Sequence, residues 1–228
     1  MHSAIRERLE TMAEPQYAAF SKKLSPGPEK ILGVRLPRLR KLAAELLKEE
    51  WRPMLRQEDK YMEETMLRGM MIAAAKMQDQ EKFAMIGQFL PRIHGWAVCD
   101  SFCSALKMAK EHREEMWAFL KPHFYAEEEF EVRFAVVMLL EYYLEPEWID
   151  RVLKRLNEVT NHAYYVKMAV AWAVSIAYVK FPVVTEEWLK TCALDDFTYQ
   201  KSLQKAIESQ RIDADAKQHL RELKKLRA

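Results

Sequence analysis

Trp96 and Asp100 stand four residues apart in the stretch His94-Gly95-Trp96-Ala97-Val98-Cys99-Asp100. On a helix that spacing puts a flat aromatic surface and a carboxylate on one face. Asp100 is also one member of a series. Arg35, Arg68, Asp100, Arg133, Lys167 and Lys201 follow one another at intervals of 33, 32, 33, 34 and 34 residues. Five of these six are cations, and a regular row of Arg and Lys suits a backbone of phosphates. Lys205, one turn beyond Lys201, is read with that row. The lone carboxylate in the row is the feature that could do chemistry.

An aspartate beside an arginine such as Arg133 stays ionised at neutral pH. It cannot then protonate a leaving group, but it can stabilise a developing cation or orient a water. Cleavage of an N-glycosidic bond needs both services, because the sugar gains oxocarbenium character as the base departs. A base that already carries positive charge, as an N3- or N7-alkylated purine does, leaves without a general acid. Trp96, and Trp172 five residues after Lys167, supply indole faces that pack on sugars and favour nearby cationic groups. The plainer reading gives the same residues structural work: solvated helix ends for the cations, core packing for the two tryptophans, and an Arg133 partner for Asp100.

These residues need a scaffold that repeats. Helical spacing of Leu39, Leu42, Ala43, Leu46 and Leu47 after Pro37 predicts a helix to about residue 49. Two short amphipathic helices over 2–13 and 15–24 precede it, the second with Pro15 in its first turn, before a break at Ser25-Pro26-Gly27-Pro28. Beyond residue 60 the pattern predicts helices over 61–76, 80–90, 96–111, 114–125, 129–144, 146–158, 163–181, 185–192, 197–209 and 213–226, with Pro91, Pro122, Pro146 and Pro182 in or next to the breaks. One unit of the 33-residue interval is then a helix pair, the signature of an all-α solenoid of HEAT-like repeats. The six spaced residues would line the concave groove of that solenoid. The reading is of a single repeat domain over residues 1–228, with 1–30 leading into the repeats.

Composition agrees with helix. Half of the 228 residues are apolar and five are glycine, few for an all-β or nucleotide-loop protein. Charge is uneven: residues 1–60 hold 13 Lys and Arg against 9 Asp and Glu, 61–166 hold 12 against 17, and 167–228 hold 11 against 8. A net charge of +2 argues against non-specific nucleic-acid binding by bulk charge and permits it through one basic face. Three cysteines without disulfide spacing, and a start without an apolar signal core, point to a reducing cytoplasm. Met168 to Val179, the longest nearly apolar run, is too short to span a bilayer. Cys99 and Cys103, four apart, lack a second Cys/His pair and are expected as buried thiols rather than metal ligands. Phosphate-loop, dinucleotide and Ser-His-Asp signatures are absent.

Trp96-Ala97-Val98-Cys99-Asp100, Glu131-Val132-Arg133-Phe134-Ala135 and Val166-Lys167-Met168-Ala169-Val170-Ala171-Trp172 resemble the Trp-x-x-x-Asp, x-x-Arg-x-Ala and x-Lys-x-Ala-x-x-Trp segments of the AlkD-type DNA glycosylases. Gly33-Val34-Arg35-Leu36-Pro37-Arg38-Leu39-Arg40 is similar to the Gly-[Val/Ile]-x-x-Pro-x-x-Arg helix of the same family. The match runs from about Tyr17 to about residue 210. It implies a HEAT-like fold that clasps duplex DNA and excises positively charged N3- and N7-alkylpurines without a metal. No cofactor and no membrane partner are expected, and the chain is read as a monomer. By the same resemblance Asp100 is the catalytic carboxylate, Arg133 its essential neighbour, Trp96 and Trp172 the aromatic walls, and Tyr17 an N-terminal aromatic brought to the site. Arg35, Arg68, Lys167, Lys201 and Lys205 are the candidate DNA contacts. Phe134 and Ser175 depart from the pattern, standing where many members carry a basic residue. The alternative is a non-catalytic HEAT-like scaffold that binds nucleic acid or protein.

Overall fold

The computed structural model describes residues 2–25 and 29–227. The expected break at Pro26-Gly27-Pro28 lies outside them. Thirteen α-helices and three short 3-10 turns form the described residues, with no β-strand among them; a single bridge joins Lys30 to Tyr61. The fold is all-α. The chain divides into two compact units, residues 1–111 and 112–228.

The first unit holds α1 (His2–Thr11), α2 (Pro15–Leu24), α3 (Leu36–Leu46), α4 (Met62–Ala74), α5 (Asp79–Phe89) and α6 (Trp96–Ala105). Its centre is α4, buried from Met62 through Ala73 and packed by α3, α5 and α6. A helix interior normally disfavours glycine, yet Gly69 sits mid-α4 because a Cβ there would lie 2.9 Å from Phe89 Cζ and 3.2 Å from Phe102 Cδ2. Those two rings, from α5 and α6, meet edge to face at 4.6 Å, so the missing side chain lets three helices converge. The C-terminal carbonyls of α4, which no helical N–H can reach, are met by a buried amine: Lys82 Nζ donates to Ile72 O at 2.7 Å, Ala73 O at 3.1 Å and Ala75 O at 2.5 Å.

The second unit holds α7 (Arg113–His123), α8 (Glu129–Tyr142), α9 (Ile149–Asn157), α10 (Tyr164–Lys180), α11 (Pro182–Leu189), α12 (Asp196–Glu208) and α13 (Ala214–Leu226). Here α10 is central, packed by α8, α12, α9 and α11. The outer helix α9 is amphipathic in the ordinary way, burying Ile149, Val152, Leu153 and Leu156 at helical spacing. Both α8 and α10 are apolar on most sides because helices flank them. Asp195 and Asp213 cap α12 and α13, each accepting a backbone N–H three residues on.

Every helix predicted from periodicity is present, and the differences sit at the ends. The helix expected over 96–111 stops at Ala105; Leu106 (φ −75°, ψ 58°) leaves helical geometry and Lys107–Lys110 form a 3-10 turn. The residues read as a gap before 61 contain another such turn, Arg52–Arg56. Pro182 begins α11 rather than merely preceding it, since the first helical position is where a missing N–H costs nothing. Among the described residues no helix is long and apolar enough to cross a membrane.

Candidate DNA-repair site

The period read from the sequence puts one residue at each of six helices that pack in order within each unit, α3, α4 and α6 in the first and α8, α10 and α12 in the second. Arg35 is the N-cap of α3, and the others lie within the first two turns. What these positions do differs sharply.

In the first unit α6 buries Val98, Cys99, Phe102 and Cys103, which turns Trp96, Ala97 and Asp100 to the less enclosed side. Asp100 is half-buried, neither sealed in the core nor fully exposed. Trp96 occupies the first position of α6, and its indole Nε1 donates to Leu24 O, the last residue of α2, at 3.2 Å. That bond ties α6 to a helix with no fully buried residue. Phe20 and Leu24 of α2 are 55% and 50% exposed. Tyr17 stacks on Phe20 with centroids 6.3 Å apart, and the Arg35 guanidinium lies 4.7 Å from the centre of the Tyr17 ring. Arg35 in turn donates from Nε to the Glu14 carboxylate at 2.9 and 3.1 Å.

A buried carboxylate that the sequence reading passed over positions this assembly. Glu63, 1% exposed, accepts N–H groups from Leu32 at 3.0 Å, Gly33 at 2.7 Å and Val34 at 3.2 Å. Gly33 adopts φ 85°, and a Cβ there would fall 2.4 Å from Glu14 O. Glycine is therefore needed both for the left-handed turn and for the close passage of α2. Glu29 lies against Gly95; burial pushes its carboxyl above the ordinary range, against the pull of His94 and Lys22.

Arg68 is a correction. Expected as a DNA-facing cation, it is 6% exposed and spends its guanidinium on Asp59 (2.5 and 3.2 Å), Met54 O (2.9 Å) and Gln57 O (2.6 Å). It staples the 3-10 turn and the loop that follows to α4. The cause is its place on the one helix of the first unit whose whole girth is covered.

In the second unit Arg133 is 5% exposed and donates Nη1 to Tyr165 O at 2.7 Å, linking α8 to the first turn of α10. Lys167 pairs with Asp195 at 3.1 Å. Burial would raise the Asp195 carboxyl, but hydrogen bonds from Thr198 and Lys167 bring it below its ordinary value. Lys201 and Lys205 are half-buried and hold no ion pair among the described residues. Burial lowers the Lys205 ammonium, Glu208 opposes the shift, and the nearby charges of Arg133 and Lys201 add to it. Trp172 is half-buried on the stripe of α10 shared with Met168 and Ile176, and Ser175 Oγ donates to its carbonyl at 2.7 Å. Phe134 is fully buried and Ser175 is 4% exposed; neither position faces solvent, so a phosphate-binding cation would not be served there.

A family model described as DNA alkylation repair enzyme matches residues 5–208. The chain belongs to that family. Among curated proteins none matches it. Membership makes this a DNA-repair enzyme with DNA as its substrate class. Cys99 and Cys103, on the same helix as Trp96 and Asp100, are buried and form no disulfide. Besides Glu63, the reading from sequence missed Phe20, Tyr164 and Phe197 as exposed aromatics beside the candidate residues. Their signal was available: each stands three or four residues from Tyr17, Lys167 or Lys201.

Proposed function

We propose that this DNA alkylation repair enzyme is a glycosylase that removes positively charged N3- and N7-alkylated purines from duplex DNA. The observation that carries the reading is Asp100, half-buried one helical turn from Trp96 on the open side of α6, in a chain of this family. In the reaction the bond between the sugar C1′ and the base nitrogen breaks with its electron pair going to the base. The cationic alkylpurine leaves neutral. Water adds to C1′, its proton passes to solvent, and an abasic sugar remains.

Asp100 lends negative charge to the oxocarbenium-like sugar and orients that water. Trp96 and Trp172 offer faces for the deoxyribose and the departing cationic base. Arg133, fixed by the Tyr165 carbonyl, serves as the positioning arginine. Tyr17, stiffened between Phe20 and Arg35, supports the lesion from the N-terminal side. Lys167, Lys201 and Lys205, together with the exposed Arg35, hold the phosphate backbone. Arg68 has no part in DNA contact.

The test is base release. Wild type and Asp100→Asn are incubated with methylated duplex DNA, and freed 7-methylguanine and 3-methyladenine are measured. The expected result is release by the wild type and a fall of at least about 100-fold in the variant, the scale for losing one electrostatic group aimed at transition-state charge. Release from neither protein, with DNA binding intact, identifies a non-catalytic scaffold instead.

A further inference from the structure

The charged series has an aromatic companion. Trp96, Phe130, Tyr164 and Phe197 follow one another at 34, 34 and 33 residues, the same period, each one turn before Asp100, Arg133, Lys167 or Lys201. In the second unit these rings stand in the first turns of α8, α10 and α12, and they touch. Phe130 and Tyr165 have centroids 5.5 Å apart, Tyr165 and Tyr164 5.2 Å, Tyr164 and Phe197 6.2 Å. The row is not hidden: Tyr164 is 57% exposed and Phe197 39%.

Cations flank the outer end of the row. The ammonium groups of Lys167 and Lys201 lie 5.6 and 5.9 Å from the centre of the Phe197 ring. Carboxylates nearby are already engaged, Glu129 by the Tyr165 N–H at 2.6 Å, Asp195 by Lys167 and Thr198, and Asp196 by Arg227 at 3.4 Å. Lys201, Lys205 and the positive ends of three helices remain to favour an anion. Exposed rings between cations, spaced like a strand's successive units, are what a chain of stacked bases and phosphates requires. A duplex presents its bases edge-on in the grooves and keeps their faces covered.

The geometry points to a second nucleic-acid site in this unit: Tyr164 and Phe197, with Lys201 and Lys205, bind unpaired bases of single-stranded DNA by stacking. A protein partner would use the rings but has no need of the cations. The site shares Lys201 and Lys205 with the duplex backbone contacts proposed above, but its rings take no part in breaking the glycosidic bond, and a chain inactive as a glycosylase could still carry it.

The full chain is titrated into fluorescently labelled oligodeoxythymidine, which contains no purine to excise, and into an abasic oligomer of equal length and charge. The expected result is tighter binding of oligodeoxythymidine, weakened about ten-fold or more by Phe197→Ala or Tyr164→Ala, with Phe197→Tyr retaining it. Lys201→Ala weakens both oligomers alike and lowers the salt slope. Thermal unfolding confirms that the Tyr164→Ala chain, altered at an exposed ring, is folded. Equal affinity of the wild type for the two oligomers overturns the proposal, as does an equal loss on both in the ring variants, or no loss at all.

Discussion

The same period produces opposite uses of positive charge in the two units. In the first, Arg68 is consumed inside by Asp59 and two carbonyls, and Arg35 is held between Glu14 and Tyr17. In the second, Lys201 and Lys205 are half-buried with no carboxylate bonded to either among the described residues, and Lys201 lies beside the exposed Phe197 ring. The distinction follows from what surrounds each helix. Where α4 is covered on every side, a cation must find partners within the protein or lose its hydration uncompensated. On α12, with one side open, the lysines are half-buried and lose only part of their hydration, which at Lys205 lowers the ammonium. A sequence ladder therefore fixes position along each helix, while burial decides whether a charge is spent inside the protein or left toward solvent.

The contrast breaks most readily at Arg68. Arg68→Ala leaves the half-buried Asp59 without its main partner and opens the core position that the guanidinium fills, and should cost about 3 kcal/mol in urea or thermal unfolding, with DNA salt dependence unchanged in whatever folds. A cost near zero would place Arg68 with the solvated rungs. Glu64 gives a smaller effect with a defined pH sign. Burial alone would raise its carboxyl, but Arg6 and the N–H groups of Lys60 and Tyr61 bring it below the ordinary value. A depressed carboxylate contributes stability above its unfolded pKa and loses it as pH falls through the folded one. Glu64→Gln should be about 2 kcal/mol less stable than wild type at neutral pH, and the gap should close on acidification; a gap independent of pH would assign the loss to packing. Lys201→Ala is the smallest perturbation of the fold, within about 0.5 kcal/mol, yet it should lower the slope of log affinity for DNA against log salt by about one unit. Loss of stability without a change in slope would make Lys201 structural too.

Much of the fold was legible because helices announce themselves by period: Leu39, Leu42, Ala43 and Leu46 are buried on α3 as their spacing requires. Helix ends were less legible, since Leu106 and Pro182 act through backbone geometry that residue type alone leaves open. For the site, the alignment of Trp96 with Asp100 followed from a four-residue step. The fate of Arg68 did not, because it depends on how α3, α5 and α6 enclose α4, and three-sided enclosure is not encoded in any local pattern. Glu63 was invisible for the same reason: its partners are backbone N–H groups 29–31 residues away, and every residue type but proline presents those.

The cradle formed by Glu63 has a mechanical consequence. Leu32, Gly33 and Val34 belong to no helix, yet their amide hydrogens are anchored on the most enclosed helix of the first unit. The surface that offers Tyr17 is thereby referenced to the interior instead of drifting with the two short helices that carry it. A load on that aromatic is passed, through one carboxylate, to the keel of the whole unit.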